Sequence, residues 1–298
     1  MKSVEAYFKA LGILICLIFI WTETENMLAQ MTMFGLILVS IGIPHGAIDH
    51  LTSQPRLTKK SLIRFLITYL GLILIYMGLW FIAPKLAILL FLIFSAYHFG
   101  QTHYLNRLKN AVWIESVLFI SRGFFFLSLI LFGSFETTAE ILSPILSIRY
   151  LGPYQFYFIF AFFGLSIGIQ FISKISFNRN DLLDLFLLPF LLYFSPLFIS
   201  FAVYFGFWHA LPSMVSEYDY LARFPQFRGA KKFIIQLLPF SLISMVGIAI
   251  ILFLGIKALE MGQLMLLFFV LISLISFPHV IYMDSFFKKS SKTVPSST

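Results

Sequence analysis

The sequence predicts an all-α, polytopic membrane protein of about ten transmembrane helices, and three observations carry that reading. Of the 298 residues, 60% are hydrophobic and 11% charged, with a mean hydropathy of +0.94. An ordinary soluble domain carries about a quarter charged residues. Apolar runs near or above ~18 residues recur from end to end, long enough for helices to cross ~30 Å of hydrocarbon. A run such as residues 70–80 shows no alternation of apolar and polar side chains, which argues against a transmembrane β-barrel.

The first expected span, 5–21, has Lys2 and Lys9 ahead of an apolar core, in the manner of a signal peptide. No small-residue cleavage site follows Trp21, so the segment reads as an uncleaved first helix. Spans 28–47, 62–83, 86–103, 111–133 and 152–173 follow. The pair 181–194 and 196–215 depends on a tight turn at Ser195–Pro196, because proline disfavours helix at the residue before it. The short first member reads alternatively as re-entrant. Spans 232–256 and 263–284 complete the set. Residues 1–289 are thus expected to form a single integral membrane domain, and the polar tail 290–298 (SSKTVPSST) to be disordered and cytoplasmic. No separate soluble domain or internal repeat is visible.

The net charge of +8 invites a nucleic-acid reading, but its placement argues for cytoplasmic membrane loops. With the N-terminus inside, the cytoplasmic segments collect 17 of the 21 basic residues, including Arg56, Lys59, Lys60 and Arg64 as one cluster. The opposite face receives Lys85, Arg149 and Lys257, and Arg122 lies within a span. This bias supports an inner-membrane protein with both termini cytoplasmic, and nucleic acid is not an expected partner. The lone cysteine, Cys16, excludes intrachain disulfides and cysteine-ligated iron–sulfur clusters. No Walker loop, dinucleotide fingerprint or HExxH pair occurs.

All six histidines fall in four stretches: "IPHGAIDH" (43–50), "SAYHFGQTHY" (95–104), "FGFWHALPSM" (205–214) and "SFPHVIYMD" (276–284). In the expected topology the four helices carrying them all run outside to inside. His45, His98, His209 and His279 precede the next cytoplasmic basic residue by 11, 9, 14 and 9 positions. At 1.5 Å per residue these offsets agree within about 8 Å. Four helices thus present imidazole at one depth. Neutral imidazole is a common ligand of iron, zinc and copper, and ionisable groups inside a membrane are costly unless paired or functional. Residues that bend or open helices accompany each motif: Pro44 and Gly46, Gly100, Gly206 and Pro212, and Pro278. Asp49, Gln101 and Asp284 are neighbours suited to orienting the imidazoles. From the pattern alone, a metal site and a proton-relay or transport site both remain open. Acidic residues deep in the bilayer favour the relay, and Glu115 is the one expected there.

Other features read as structural. The 38 phenylalanines face lipid or line a tunnel for a long apolar ligand. Arg122 and Glu115, seven residues apart, are a candidate pair, and Asp181 and Asp184 sit at a helix start, where their charge suits the helix dipole.

In order, the motifs "GIPHGAIDH", "YHFGQ", "YFGFWH" and "PHVIYMD" resemble those of the bacterial and archaeal bacteriorhodopsin-related-protein-like (Brp/Blh-type) β-carotene 15,15'-dioxygenases. Nearly the whole chain is covered. The resemblance implies a membrane-embedded oxygenase that uses histidine-bound Fe(2+) and O₂ to cleave the central double bond of β-carotene into two retinals. It makes His45, His98 and His209 iron ligands. The fourth family ligand, four positions after the third, is here Ser213, and the family's Asp at position 103 is here His103. His103, His279 and His50 are the possible substitute ligands. The expected partners are β-carotene or a related carotenoid, O₂, membrane lipid and a rhodopsin receiving the retinal. Two other readings stand beside this one: a non-catalytic carotenoid- or retinal-binding paralogue, and a small-solute or proton transporter.

The charge bias carries the first prediction. A reporter fused after Thr298 that is active only in the cytoplasm should be active, and its partner active only outside should be silent. The reverse pattern would invert the topology.

Overall fold

The computed structural model describes residues 2–23, 26–105 and 112–293, and among them the secondary structure is helical throughout, without a strand. The helices are α1 (Lys2–Thr22), α2 (Met27–Ser53), α3 (Lys59–Ile82), α4 (Pro84–Thr102) and α5 (Val112–Gly133). They continue with α6 (Phe135–Leu142), α7 (Arg149–Ile172) and α8 (Arg179–Phe194). The last three are α9 (Leu197–Leu221), α10 (Ala230–Gly255) and α11 (Met261–Thr293). Among the described residues nine of these are long and apolar enough to cross a membrane, all but α6 and α8. The chain is an all-α polytopic membrane protein.

Local chemistry sets the helix ends. Asn26 caps α2 through its side-chain oxygen, which accepts from the Leu28 and Ala29 amides at 3.0 and 3.2 Å. Thr58 and Ser61 form a capping box at the start of α3, and Asn178 and Asp181 another at α8. The expected break at Ser195–Pro196 is present: Ser195 is extended, with φ −84° and ψ 151°. The segment expected at 181–194 is a helix of 16 residues, shorter than a usual span. Arg107 and Lys109 lie outside the described residues. So do tail residues 294–298, whereas 290–293 continue α11.

Contacts divide the chain into two compact units. The first comprises Met1–Gly42 and Ser95–Pro212. Here α5 packs on α7 and α8, and α9 on α2 and α1. α4 and α5 cross closely, backbone against backbone. A Cβ on Gly100 would overlap the carbonyl of Phe119, and a Cβ on Gly123 would overlap the carbonyl of Ala96. Each helix thus presents its glycine to the partner's backbone, the small-residue packing usual between membrane helices. This corrects the expectation for Gly100: α4 is continuous through it, and the glycine serves close approach. α11 likewise runs unbroken through Pro278. Arg122 is buried and hydrogen-bonds through Nη2 to Gln170 Oε1 at 2.7 Å, with the Tyr104 hydroxyl donating to the same oxygen at 2.9 Å. Its partner is thus Gln170 on α7, in place of the expected Glu115.

The second unit comprises Ile43–Phe94 and Ser213–Thr298. α3 packs on α11, where the Tyr76 and Phe277 rings stack at 4.6 Å and Trp80 Nε1 donates to Ser273 Oγ at 3.0 Å. A second cluster joins Ala47, Ile48 and Leu51 to Leu221, Phe227 and Leu237, holding the end of α2 against α9 and α10. The outward residues Ile67, Leu70 and Leu74 of α3 are exposed and apolar at helical spacing, a face suited to hydrocarbon.

The α4–α5 crossing gives a prediction. Gly100→Ala or Gly123→Ala should cost at least ~1–3 kcal/mol by forcing two backbones apart. In detergent, either variant should lose folded yield and thermal stability. Gly168→Ala, with nothing within 4 Å of the new methyl, should not.

Candidate functional site

Two helices lose regular α-geometry at their histidine motifs. α2 contains a π-helical turn over Leu38–Gly42, just before His45, and a 3₁₀ turn over Gly46–Ile48. α9 contains a π-helical stretch over Tyr204–Ala210, which includes His209. Such insertions recur at functional sites because they re-aim side chains. The two π turns touch within the first unit. A Cβ on Gly42 would come within 2.6 Å of Phe205, and one on Gly206 would overlap the Ile37 side chain. Glycine is therefore required at both positions if the turns are to meet.

In the second unit, His45 and His279 face each other, both buried. Their Nε2 atoms are 3.0 Å apart, with the rings nearly perpendicular at 84°. Two imidazole donors bound to one ion at about 2.1 Å and at right angles to each other would have this separation. Both carboxylate oxygens of Asp49 lie 3.0 Å from His279 Nδ1. An ionised Asp49 only accepts, so Nδ1 donates to it and the Nε2 of a neutral His279 carries a bare lone pair. Asp49 follows His45 by four residues, across the 3₁₀ turn of α2. Gly46 leaves room for the ring: a Cβ there would already touch His279 Nδ1 at 3.4 Å. On the other side, His45 Nδ1 lies 3.9 Å from Glu217 Oε1.

In the first unit, His98 and His209 form a comparable pair, with ring centroids 4.5 Å apart and an interplanar angle of 76°. Gln101 Oε1 is 3.3 Å from His98 Nδ1, and an amide oxygen there accepts from it. Phe99 and Phe205 enclose the His209 ring at centroid distances of 4.6 and 5.6 Å. Both imidazoles are buried.

The other sequence candidates go elsewhere. His103 Nε2 meets the Tyr204 hydroxyl at 3.1 Å, its Nδ1 lies 3.8 Å from Asp184, and its ring stacks on Phe126. Asp184, expected as a helix cap, accepts from Trp208 Nε1 at 2.7 Å and lies 3.8 Å from Lys9. With Lys9 and Trp208 it borders a cavity of about 400 Å³ in the first unit. His50 sits between the Phe65 and Phe240 rings. Asp284 pairs with Lys288 at 2.6 Å, one turn on. Ser213 is buried, and its Oγ has no hydrogen-bond partner among the described residues.

Sequence reasoning missed Glu217. It is fully buried, whereas Glu115 is only partly so. The available signal was spacing: Ser213 and Glu217 follow His209 at four-residue intervals, one stripe along α9.

Comparison with known proteins agrees with this chemistry. One curated relative, named "Beta-carotene 15,15'-dioxygenase", comes from uncultured marine bacterium 66A03. It is 26% identical over 271 residues, covering 87% of this chain and 94% of the relative. No solved structure matches the chain. The profile of the β-carotene 15,15'-dioxygenase family matches residues 36–287, a stretch that contains all four histidine motifs and both buried carboxylates, Asp49 and Glu217. On that match, this chain belongs to the β-carotene 15,15'-dioxygenase family.

Proposed function

We propose that this protein is an iron-dependent oxygenase of the cell (inner) membrane, with both termini cytoplasmic, that cleaves the central double bond of β-carotene or a close relative into two retinals. The observation that carries the reading is the His45–His279 pair. Two buried imidazoles meet Nε2 to Nε2 at 3.0 Å, and one is oriented by Asp49 through Nδ1. Neutral nitrogen donors backed by a carboxylate suit Fe(2+). Family membership supports carotenoid and O₂ as substrates.

In this reading His45, His98 and His209 hold the ion as the family motifs imply, and His279 supplies the fourth donor in place of Ser213. His103 and His50 are less suited to that role, because their rings are engaged by Tyr204 and Phe126 and by Phe65 and Phe240. When bound, ferrous iron supplies the redox chemistry by which O₂ adds across a carbon–carbon double bond. The residues of the chain do the rest. Gln101 and Asp49 hold His98 and His279 by Nδ1, so each ring keeps the tautomer whose Nε2 can bind metal. Phe99 and Phe205 keep water from His209. The polyene has no polar handle, so binding rests on buried apolar area at ~25 cal/mol per Å². The retinal produced would serve a rhodopsin.

The test combines metal analysis of purified protein with retinal production in a β-carotene-accumulating host. Wild type should contain iron and make retinal. His45→Ala, His98→Ala, His209→Ala and His279→Ala should each lose iron, since a site short of one donor is weak and wet. Normal iron in His279→Ala alone would assign the fourth position elsewhere. Normal iron in any two of the other three would remove the metal reading. The serine at position 213 favours a second reading, a non-catalytic carotenoid-binding paralogue, which predicts bound carotenoid without retinal.

Asp49 gives a separate prediction. Asp49→Asn replaces an obligate acceptor by an amide that can also donate, freeing His279 to adopt the other tautomer. Iron affinity should fall ten- to a hundred-fold. Equilibrium competition with a chelator measures it, and unchanged affinity would show that Asp49 does not orient the ring.

A further inference from the structure

Glu217 poses a problem that neither packing nor the family motifs answer. Its side chain is 0% exposed, and among the described residues neither carboxylate oxygen has a hydrogen-bond partner. A carboxylate held out of water without donors is costly and survives only where something compensates it. The group it faces is the His45 imidazole, with Nδ1 3.9 Å from Oε1. That distance is too long for a hydrogen bond and short enough to become one with a shift of about an ångström.

Within the second unit the groups form a row: Asp49, His279, His45, Glu217. Each imidazole turns Nδ1 outward to a carboxylate and Nε2 inward to the other ring. With both carboxylates ionised and both imidazoles neutral, His45 carries its proton on one of two nitrogens. If His45 carries its proton on Nε2, it donates to His279, and its bare Nδ1 then faces the Glu217 carboxylate, lone pair against anion. If the proton is on Nδ1, it points at Glu217. The two Nε2 lone pairs then face one region 3.0 Å apart, an arrangement that a cation there favours. A divalent ion bound there favours the second arrangement, and the two carboxylates balance its two charges. Neutral imidazoles alone would leave that charge uncompensated.

We propose that Glu217 is a positioning residue of the metal centre, orienting His45 through Nδ1 and sharing with Asp49 the neutralisation of a divalent cation held by His45 and His279. The inference rests on the reading that these histidines bind iron, and it adds a group that the histidine motifs do not contain. The test uses full-length protein in detergent, stripped and reloaded with Fe(II) or Co(II). Glu217→Gln should bind either ion ten- to a hundred-fold more weakly. It should also raise the Fe(III)/Fe(II) midpoint potential, because losing a nearby negative charge disfavours the ferric state. Glu217→Asp should restore part of both. Glu217→Met removes the charge at similar volume, so it should fold and yet bind poorly, which covers failure of the glutamine variant to fold. Wild-type affinity and potential in Glu217→Gln or Glu217→Met, with metal lost in His45→Ala, would overturn the role of Glu217 and leave the metal reading standing. Unchanged metal in both His45→Ala and His98→Ala would overturn both.

Discussion

Burying ionisable side chains among membrane helices is the constraint from which the rest of this structure follows. With no water to solvate them, such groups must meet one another, and helices made mostly of leucine, isoleucine and phenylalanine offer few partners. The second unit answers with a row in which Asp49 lies 3.0 Å from His279, and His279 lies 3.0 Å from His45. Around that row the fold keeps its geometry. Gly46 leaves space for the His279 ring, and α10 packs the end of α2 through Ala47, Ile48 and Leu51. The first unit meets the same constraint with neutral partners: Gln101 for His98, and Gln170 shared by Arg122 and Tyr104.

Aiming these groups inward distorts the helices that carry them. π-Helical turns over Leu38–Gly42 and Tyr204–Ala210 adjoin or contain the histidines, and each costs regular backbone hydrogen bonding. The cost is tolerable where the turn is packed against protein, as these two are against each other through Gly42 and Gly206. The glycine-mediated crossing of α4 and α5 fixes α4 through Ala96 and Gly100, and His98, midway between them, projects from the opposite side of that helix to meet His209. Rigid packing and polar satisfaction thus support each other.

These features suit oxygenase chemistry on an apolar substrate better than solute transport. The acidic groups nearest the His45–His279 pair lie at the outer nitrogens of those rings, Asp49 3.0 Å from His279 and Glu217 3.9 Å from His45. Such an arrangement holds tautomers, whereas a relay needs groups that exchange protons along a path.

Much of this was legible in the sequence. Composition and run length determined the helical membrane class, since a 60% apolar chain has few other ways to satisfy its backbone in hydrocarbon. Asp181 and Ser195–Pro196 marked a helix start and a break through local rules that need no tertiary context. The four histidine motifs stood out because imidazole is rare in such a chain. Tertiary structure alone decided which imidazoles meet. His279 reaches His45 and Asp49 across more than two hundred residues, and His103 turns away to Tyr204 and Asp184. It also separated Asp284, which pairs with a neighbouring lysine, from Asp49, which reaches an imidazole. Glu217 looked like one acid among the polar residues near a helix end, and its complete burial depends on neighbours that no local pattern names. Helix propensity and hydropathy act over a few residues, so a sequence states them directly. The partner of a buried charge is set by helix rotation, crossing distance and the glycines that allow it, and those exist only once the helices are packed.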